Sequence, residues 1–269
     1  MRRLAAAVTF ACAVFAVVCP ASAVVVNPFF GGHGTIDRTT PDYLWTIGDA
    51  GLTPIFGQSL IYIDPVHGFV SDGGGFGEPA QPGNWDYDMD IWGPLVSNMD
   101  LSYGGQVTYG FPVAGVFAVS WVNMVNADDH SVFNTFQVLF IGASGFTTNA
   151  GFAIAPGSVV FSYGAQGNAA GTVNITASSP ETIGILLRGR VSTLQSLGVG
   201  DANGVISTAD LAALRASGDP FLFNSNGAGG FDTPIAFTSV VGLVPEPAGG
   251  ALLALALGGL LALRRPAAR

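Results

Sequence analysis

Val116-Phe-Ala-Val-Ser-Trp-Val-Asn-Met-Val125, followed after a turn by Thr135-Phe-Gln-Val-Leu-Phe-Ile141, decides the fold class of this chain. Both runs are dense in β-branched and aromatic residues, the side chains that fit a pleated, half-buried surface. In an extended backbone alternate side chains share a face, so Phe117, Val119 and Trp121 project together, as do Phe136, Val138 and Phe140. Such rows of large rings read as core rather than as a ligand platform. Working outward, residues 59–63 (Ser-Leu-Ile-Tyr-Ile), 106–109 (Gln-Val-Thr-Tyr) and 159–163 show the same chemistry. Thr172-Val-Asn-Ile-Thr176 alternates, with Val173 and Ile175 on one face. Clusters of Gly, Asn, Asp and Pro separate these runs, and helical periodicity is almost absent before residue 190. The expectation is a mainly β protein: an antiparallel β-sandwich with one short helix.

Charge and cysteine usage narrow the function classes. The 9 basic residues are all arginine; the chain has no lysine. Between Val24 and Val244 four arginines (Arg38, Arg188, Arg190, Arg215) face 17 carboxylates, a net charge of −13. Nucleic acid is excluded as a partner, because binding it depends on basic residues that neutralise phosphates. The absence of lysine also excludes lysine–asparagine isopeptide cross-links. Both cysteines, Cys12 and Cys19, fall in the N-terminal apolar segment, so beyond it there is no thiol, disulfide or cysteine metal site.

That N-terminal segment reads as a secretory signal. Arg2 and Arg3 form a basic start, residues 4–18 an apolar core, and Ala21-Ser-Ala23 a small-x-small cleavage site. The core is short for a membrane span. A lipoprotein signal on Cys19 is rejected because Val17 and Val18 stand where small residues are needed. Residues 1–23 are therefore the expected signal peptide.

At the other end, Val244-Pro245-Glu246-Pro247 precedes an apolar run over 248–263 and then Arg264-Arg265. As a helix the run spans about 24 Å at ~1.5 Å per residue, slightly short of a ~30 Å hydrocarbon core. The arginines place the C-terminus in the cytoplasm and the preceding chain outside. The two prolines keep the adjoining backbone extended and away from helix, accessible to an enzyme. This segment resembles the PEP-CTERM family of sorting tails: a Pro-Glu-Pro triplet, a transmembrane stretch and a terminal basic cluster. The resemblance implies recognition by a membrane-embedded exosortase, similar to a cysteine transpeptidase, which cleaves near the triplet.

The middle of the chain resembles the nidogen-like extracellular domain. The residues that carry the resemblance are Trp92-Gly-Pro94 with Asn98-Met-Asp100, then Val107-Thr-Tyr109, Phe117-Ala-Val119-Ser-Trp121, Asn134-Thr-Phe136-Gln137, and Val159-Val-Phe161-Ser-Tyr163. Order and spacing hold over roughly residues 55–200. Asn98 stands where the family has an aspartate, and Val96 replaces a tryptophan, so the family's acidic pair is incomplete here. The resemblance implies a structural or adhesive extracellular module. The expected organisation is thus a signal peptide (1–23), a lead-in (24–54), a nidogen-like domain (55–240) and a sorting tail (241–269, span 248–263).

Few residues invite a chemical role. His33, His67 and His130 lie on turn-like segments without metal spacing and read as surface imidazoles. Gly73-Gly-Gly-Phe-Gly77 lacks the strand–loop–helix context and the lysine of a phosphate cradle. Asp86, Asp88 and Asp90 share one face of an extended chain, which leaves two readings: a solvated acidic edge that deters aggregation, or hard oxygen ligands for Ca²⁺. Asp201-Ala-Asn-Gly-Val-Ile-Ser-Thr-Ala-Asp210 resembles one dockerin-type calcium loop but lacks two of its residues. It reads as a turn into a short helix over about 207–216, with Ser207 as N-cap and Asp210 at the third position. The sequence therefore points to a non-catalytic, exported surface or matrix protein without a cofactor. Its expected partners are an exosortase and exopolysaccharide or other matrix components. The alternatives are a calcium- or glycan-binding adhesin and a secreted hydrolase with a convergent His/Ser/Asp pocket.

Overall fold

In the computed structural model the described residues are 34–37, 45–73, 89–147, 152–163, 181–188, 190–207, 209–210, 214 and 220–236. In chain order the elements are β1 (Gly34–Ile36), β2 (Trp45–Gly48), α1 (Thr53–Phe56), β3 (Leu60–Asp64), β4 (Phe69–Ser71) and β5 (Asp90–Val96). They continue with β6 (Gln106–Val113), β7 (Val116–Val125), β8 (Phe133–Ile141), β9 (Phe146–Thr147), β10 (Ala153–Ile154) and β11 (Val159–Tyr163). The last are β12 (Glu181–Leu187), β13 (Arg190–Thr193), β14 (Val205–Ile206), β15 (Phe221–Phe223) and β16 (Ile235–Ala236). The protein is mainly β, as the sequence predicts.

One sheet runs β1-β6-β7-β8-β11-β15-β16 and the other β13-β12-β5-β4-β3-β2, with β14 also pairing with β12. The pairings are antiparallel. The central ladder is the predicted one: Phe117 faces Phe140, Val119 faces Val138 and Trp121 faces Phe136. Those six side chains join Ile61, Val70, Trp92 and Ile185 of the other sheet in one apolar core, so the two sheets form layers around shared contents. The alternate residues of β7 and β8, Val116, Ala118, Leu139 and Ile141, pack in a second cluster with Ile154 of the β9–β10 hairpin. Both faces of this sheet are therefore buried there. Two polar links tie the layers together: Trp121 Nε1 donates to the Asp64 carbonyl at 3.3 Å, and the Tyr163 hydroxyl donates to the Pro94 carbonyl.

The segment expected to be a lead-in contributes strands to both sheets, β1 against β6 and β2 against β3. Its end begins α1, which runs on to Phe56 and which the sequence analysis did not anticipate. Asp49 Oδ1 accepts from Gly51 N at 2.7 Å to start a 3₁₀ turn, Pro54 lies in the first turn of α1, and Gly57 stops it. Four residues are too few to register as periodicity. Near the other end the expected capping arrangement is present: Ser207 Oγ accepts from Asp210 N at 3.3 Å, and Asp210 Oδ2 accepts from Ser207 N at 2.7 Å. Residues 209, 210 and 214 are helical.

Among the described residues no helix is long and apolar enough to cross a membrane. The expected signal peptide with Ala21 and Ala23, the strand at 172–176, and the tail with Pro245, Glu246, Pro247, Arg264 and Arg265 all lie outside them.

Candidate functional site

The site grows out of one register. Ser71 pairs with Ile91, which sets Asp72 beside Asp90 where β4 and β5 meet. Asp72 N donates to the Asp90 carbonyl at 3.2 Å, and Asp90 N donates to Asp72 Oδ1 at 2.7 Å. On the other side of β5, Asp90 pairs with Leu187, and Leu187 in turn pairs with Arg190 across the β12–β13 hairpin. Two carboxylates and two arginines thus converge at one end of this sheet.

Arg188, at the turn of that hairpin, has a φ of 42°, a left-handed conformation uncommon for a residue with a side chain. From there its guanidinium reaches Asp72 Oδ2 at 3.3 Å and approaches Asp90 Oδ1 at 3.7 Å. Burial raises the Asp90 pKa above its ordinary value, and the neighbouring Asp72 charge adds to this; Arg188 acts in the opposite sense. The cluster is a carboxylate pair held together by one arginine.

A cleft of about 550 Å³ opens beside it. Its inner wall includes Trp92, Phe140 and Phe56, whose rings meet edge-on or tilted at 5.4 Å (Phe56–Trp92), 4.7 Å (Phe56–Phe140) and 5.3 Å (Trp92–Phe140). Phe56 comes from α1, so the unanticipated helix completes the wall. The loop over 225–231 also lines it; there Asn226 Oδ1 accepts from Ala228 N at 2.9 Å and Gly230 N at 3.2 Å, and the loop ends in Phe231. Arg188 and Arg190 also line the cleft.

The opposite ends of β5 and β12 hold a different group. Thr182 pairs with Val96, about 20 Å along β5 from Asp90 at ~3.3 Å per residue. Beside it Glu181 is fully buried; Ser97 Oγ donates to its Oε1 at 2.8 Å, and its Oε2 has no hydrogen-bond partner among the described residues. Burial pushes the Glu181 pKa up to about 8, opposed by the Ser97 hydrogen bond and reinforced by the Asp128 charge. This is also the end at which Tyr103 stacks on His130, with ring centroids 3.5 Å apart.

The residues singled out in the sequence are placed as follows. Asp90 lies on the core-facing side of β5 with Trp92, partly buried and beside an arginine, so it is not a solvated outer edge. Asp86 and Asp88 lie outside the described residues, and so does His33. His67 Nδ1 lies 3.0 Å from Asp64 Oδ2 in the turn between β3 and β4, which makes it part of that turn rather than a loose surface group. Asp100 Oδ1 accepts from Ser102 N at 2.8 Å and from its Oγ at 2.6 Å, a local turn. Asp201 Oδ1 likewise accepts from Asn203 N and Val205 N, at 2.8 Å and 3.0 Å. Among the described residues no group of three or more His, Cys, Asp or Glu is arranged to hold a metal ion.

The sequence reading missed Asp72, Arg188, Arg190 and Glu181. One signal was available: Arg188-Gly-Arg190 is the closest pairing of positive charge in an acidic, lysine-free body. In comparisons with known proteins, no family model, no curated protein and no solved structure matches this chain.

Proposed function

We propose that the chain is a non-catalytic surface or extracellular-matrix protein: a nidogen-like β-sandwich exported by its signal peptide and sorted by an exosortase acting on its tail. The observation that carries this reading is the position of the Pro-Glu-Pro triplet. The final described strand ends at Ala236, and Pro245 follows after a spacer of eight residues. In the sequence the triplet thus lies between the last described strand and the apolar run. Beyond the expected signal peptide the chain has no cysteine, so the stability of the body comes from packing rather than from disulfides.

The tail supplies the test. Changing Pro245, Glu246 and Pro247 together to alanine keeps the apolar run and the Arg264-Arg265 stop, hence the membrane topology. In an exosortase-bearing host the triple variant is expected to accumulate uncleaved in the inner membrane, while the parent loses its tail and moves outward. Mass spectrometry of both forms reads the result, and the parent N-terminus should be Val24. Identical processing of variant and parent would rule out sorting by the triplet.

A further inference from the structure

The cleft brings together three features that answer to one class of ligand. The first is charge. Of the four arginines between Val24 and Val244, two line this cleft. Arg188 is committed to Asp72 and Asp90, whereas Arg190 is exposed and makes no ion pair among the described residues. The second is a fixed pair of acceptors. Asp72 is held by Asp90 N and by Arg188, so both carboxylates keep their positions while lining the cleft. The third is an apolar surface: Phe56 and Phe231, both only partly buried, line the cleft together with Trp92 and Phe140.

These features exclude several occupants. A wholly apolar molecule would desolvate Asp72, Asp90 and Arg190 without offering them partners. A metal ion would have to displace the Arg188 guanidinium from the carboxylate pair. A sugar ring offers what the cleft lacks, with hydroxyl donors along its edge and an apolar C–H face. An uncommitted arginine adds a demand for a carboxylate, which guanidinium binds with two parallel hydrogen bonds. The volume of about 550 Å³ lies within the range of small-ligand sites, roughly 300–1,000 Å³.

We propose that this cleft binds a uronate-bearing saccharide. Arg190 takes the carboxylate, Asp72 and Asp90 accept from ring hydroxyls with Arg188 holding the pair in place, and Phe56 and Phe231 receive the apolar face of the ring. The inference does not depend on how the chain is sorted.

The experiment uses the full chain in detergent, titrated with trigalacturonate and, separately, with neutral galactotriose, and followed by calorimetry. Trigalacturonate is expected to bind at least about tenfold more tightly than the neutral trisaccharide, with the advantage shrinking as salt rises. Arg190→Gln should lose about that factor toward trigalacturonate, leave the weaker neutral binding in place, and keep the parent melting temperature because Arg190 is exposed. Phe231→Ala should weaken both ligands. Absence of trigalacturonate binding at millimolar concentration, equal affinity for the two trisaccharides, or parent-like binding by Arg190→Gln would each overturn the assignment.

Discussion

Glu181→Gln is expected to raise the melting temperature of the chain by roughly 10 °C at about pH 9 and to leave it nearly unchanged near pH 4.5. The reason is a carboxyl group folded into a place that disfavours its charge. Glu181 is fully buried, one oxygen accepts from Ser97, the other has no partner among the described residues, and Asp128 contributes a like charge from the β7–β8 loop. Its pKa is raised from 4.5 to about 8 in the folded protein. Over that interval the folded state holds a proton that the unfolded state has released, so stability falls as pH rises. The contribution is intact below about pH 4.5, is lost progressively up to about pH 8, and changes no further above it. Integrated over the window, the loss is on the order of 5 kcal/mol. Glutamine keeps the shape and the Ser97 hydrogen bond but has nothing to ionise. The decisive quantity is the difference between variant and parent melting curves across pH, because the other carboxylates cancel in it. A difference that stays flat between pH 4.5 and pH 9 would show that Glu181 is ionised and solvated in the folded state. Asp128→Asn should shift the parent curve the same way by a smaller amount, since Asp128 is the lesser of the two causes that raise the pKa.

That buried acid illustrates where a sequence stops being informative. Strands whose burial is periodic were legible: the predicted runs at 116–125 and 159–163 coincide with β7 and β11, and the row Phe117, Val119, Trp121 lies in the core between the sheets as expected. The alternation fails just beyond it. Trp121 and Met124 are three apart yet share that core, because the register slips between them and Asn123 takes a left-handed φ of 52°. A bulge of this kind moves side chains from one face to the other without leaving a composition signal. The carboxylates failed for a related reason. Asp90 reads as one member of an alternating acidic face, and its partners, Asp72 and Arg188, are brought to it by strand pairing from 18 and 98 residues away. Glu181 heads the apolar strand Glu-Thr-Ile-Gly-Ile-Leu-Leu, and nothing local distinguishes a buried acid there from a solvated one. The candidate cleft was therefore illegible as a site, although its two arginines stood out by charge.

Gly68→Ala is expected to destabilise the chain by about 3–5 kcal/mol, and Gly57→Ala by only about 1 kcal/mol. Both glycines have a left-handed φ, 71° at Gly68 and 74° at Gly57, so an added side chain carries the same conformational penalty at each. Their surroundings differ. A Cβ at Gly57 would meet nothing within 4 Å, whereas one at Gly68 would lie 2.2 Å from the Leu95 carbonyl oxygen and 2.8 Å from Met99 Cε. The carbonyl belongs to the backbone of β5 and cannot swing aside. Nor can the turn retreat easily, because it is tied on several sides. Asp64 Oδ1 accepts from Val66 N at 3.0 Å and His67 N at 2.7 Å, Ser97 N donates to the His67 carbonyl at 3.2 Å, and Met99 N donates to the Val66 carbonyl at 2.9 Å. Trp121 also donates to the Asp64 carbonyl from the other sheet. Relieving the clash must therefore loosen the joint between the layers, while Gly57 merely ends α1 at the surface. Urea unfolding of the two variants against the parent makes the comparison, with an unchanged m-value confirming that each effect is one of stability. Equal losses at the two positions would mean that the Asp64–Gly68 turn yields, and that this turn does not fix the spacing of the sheets.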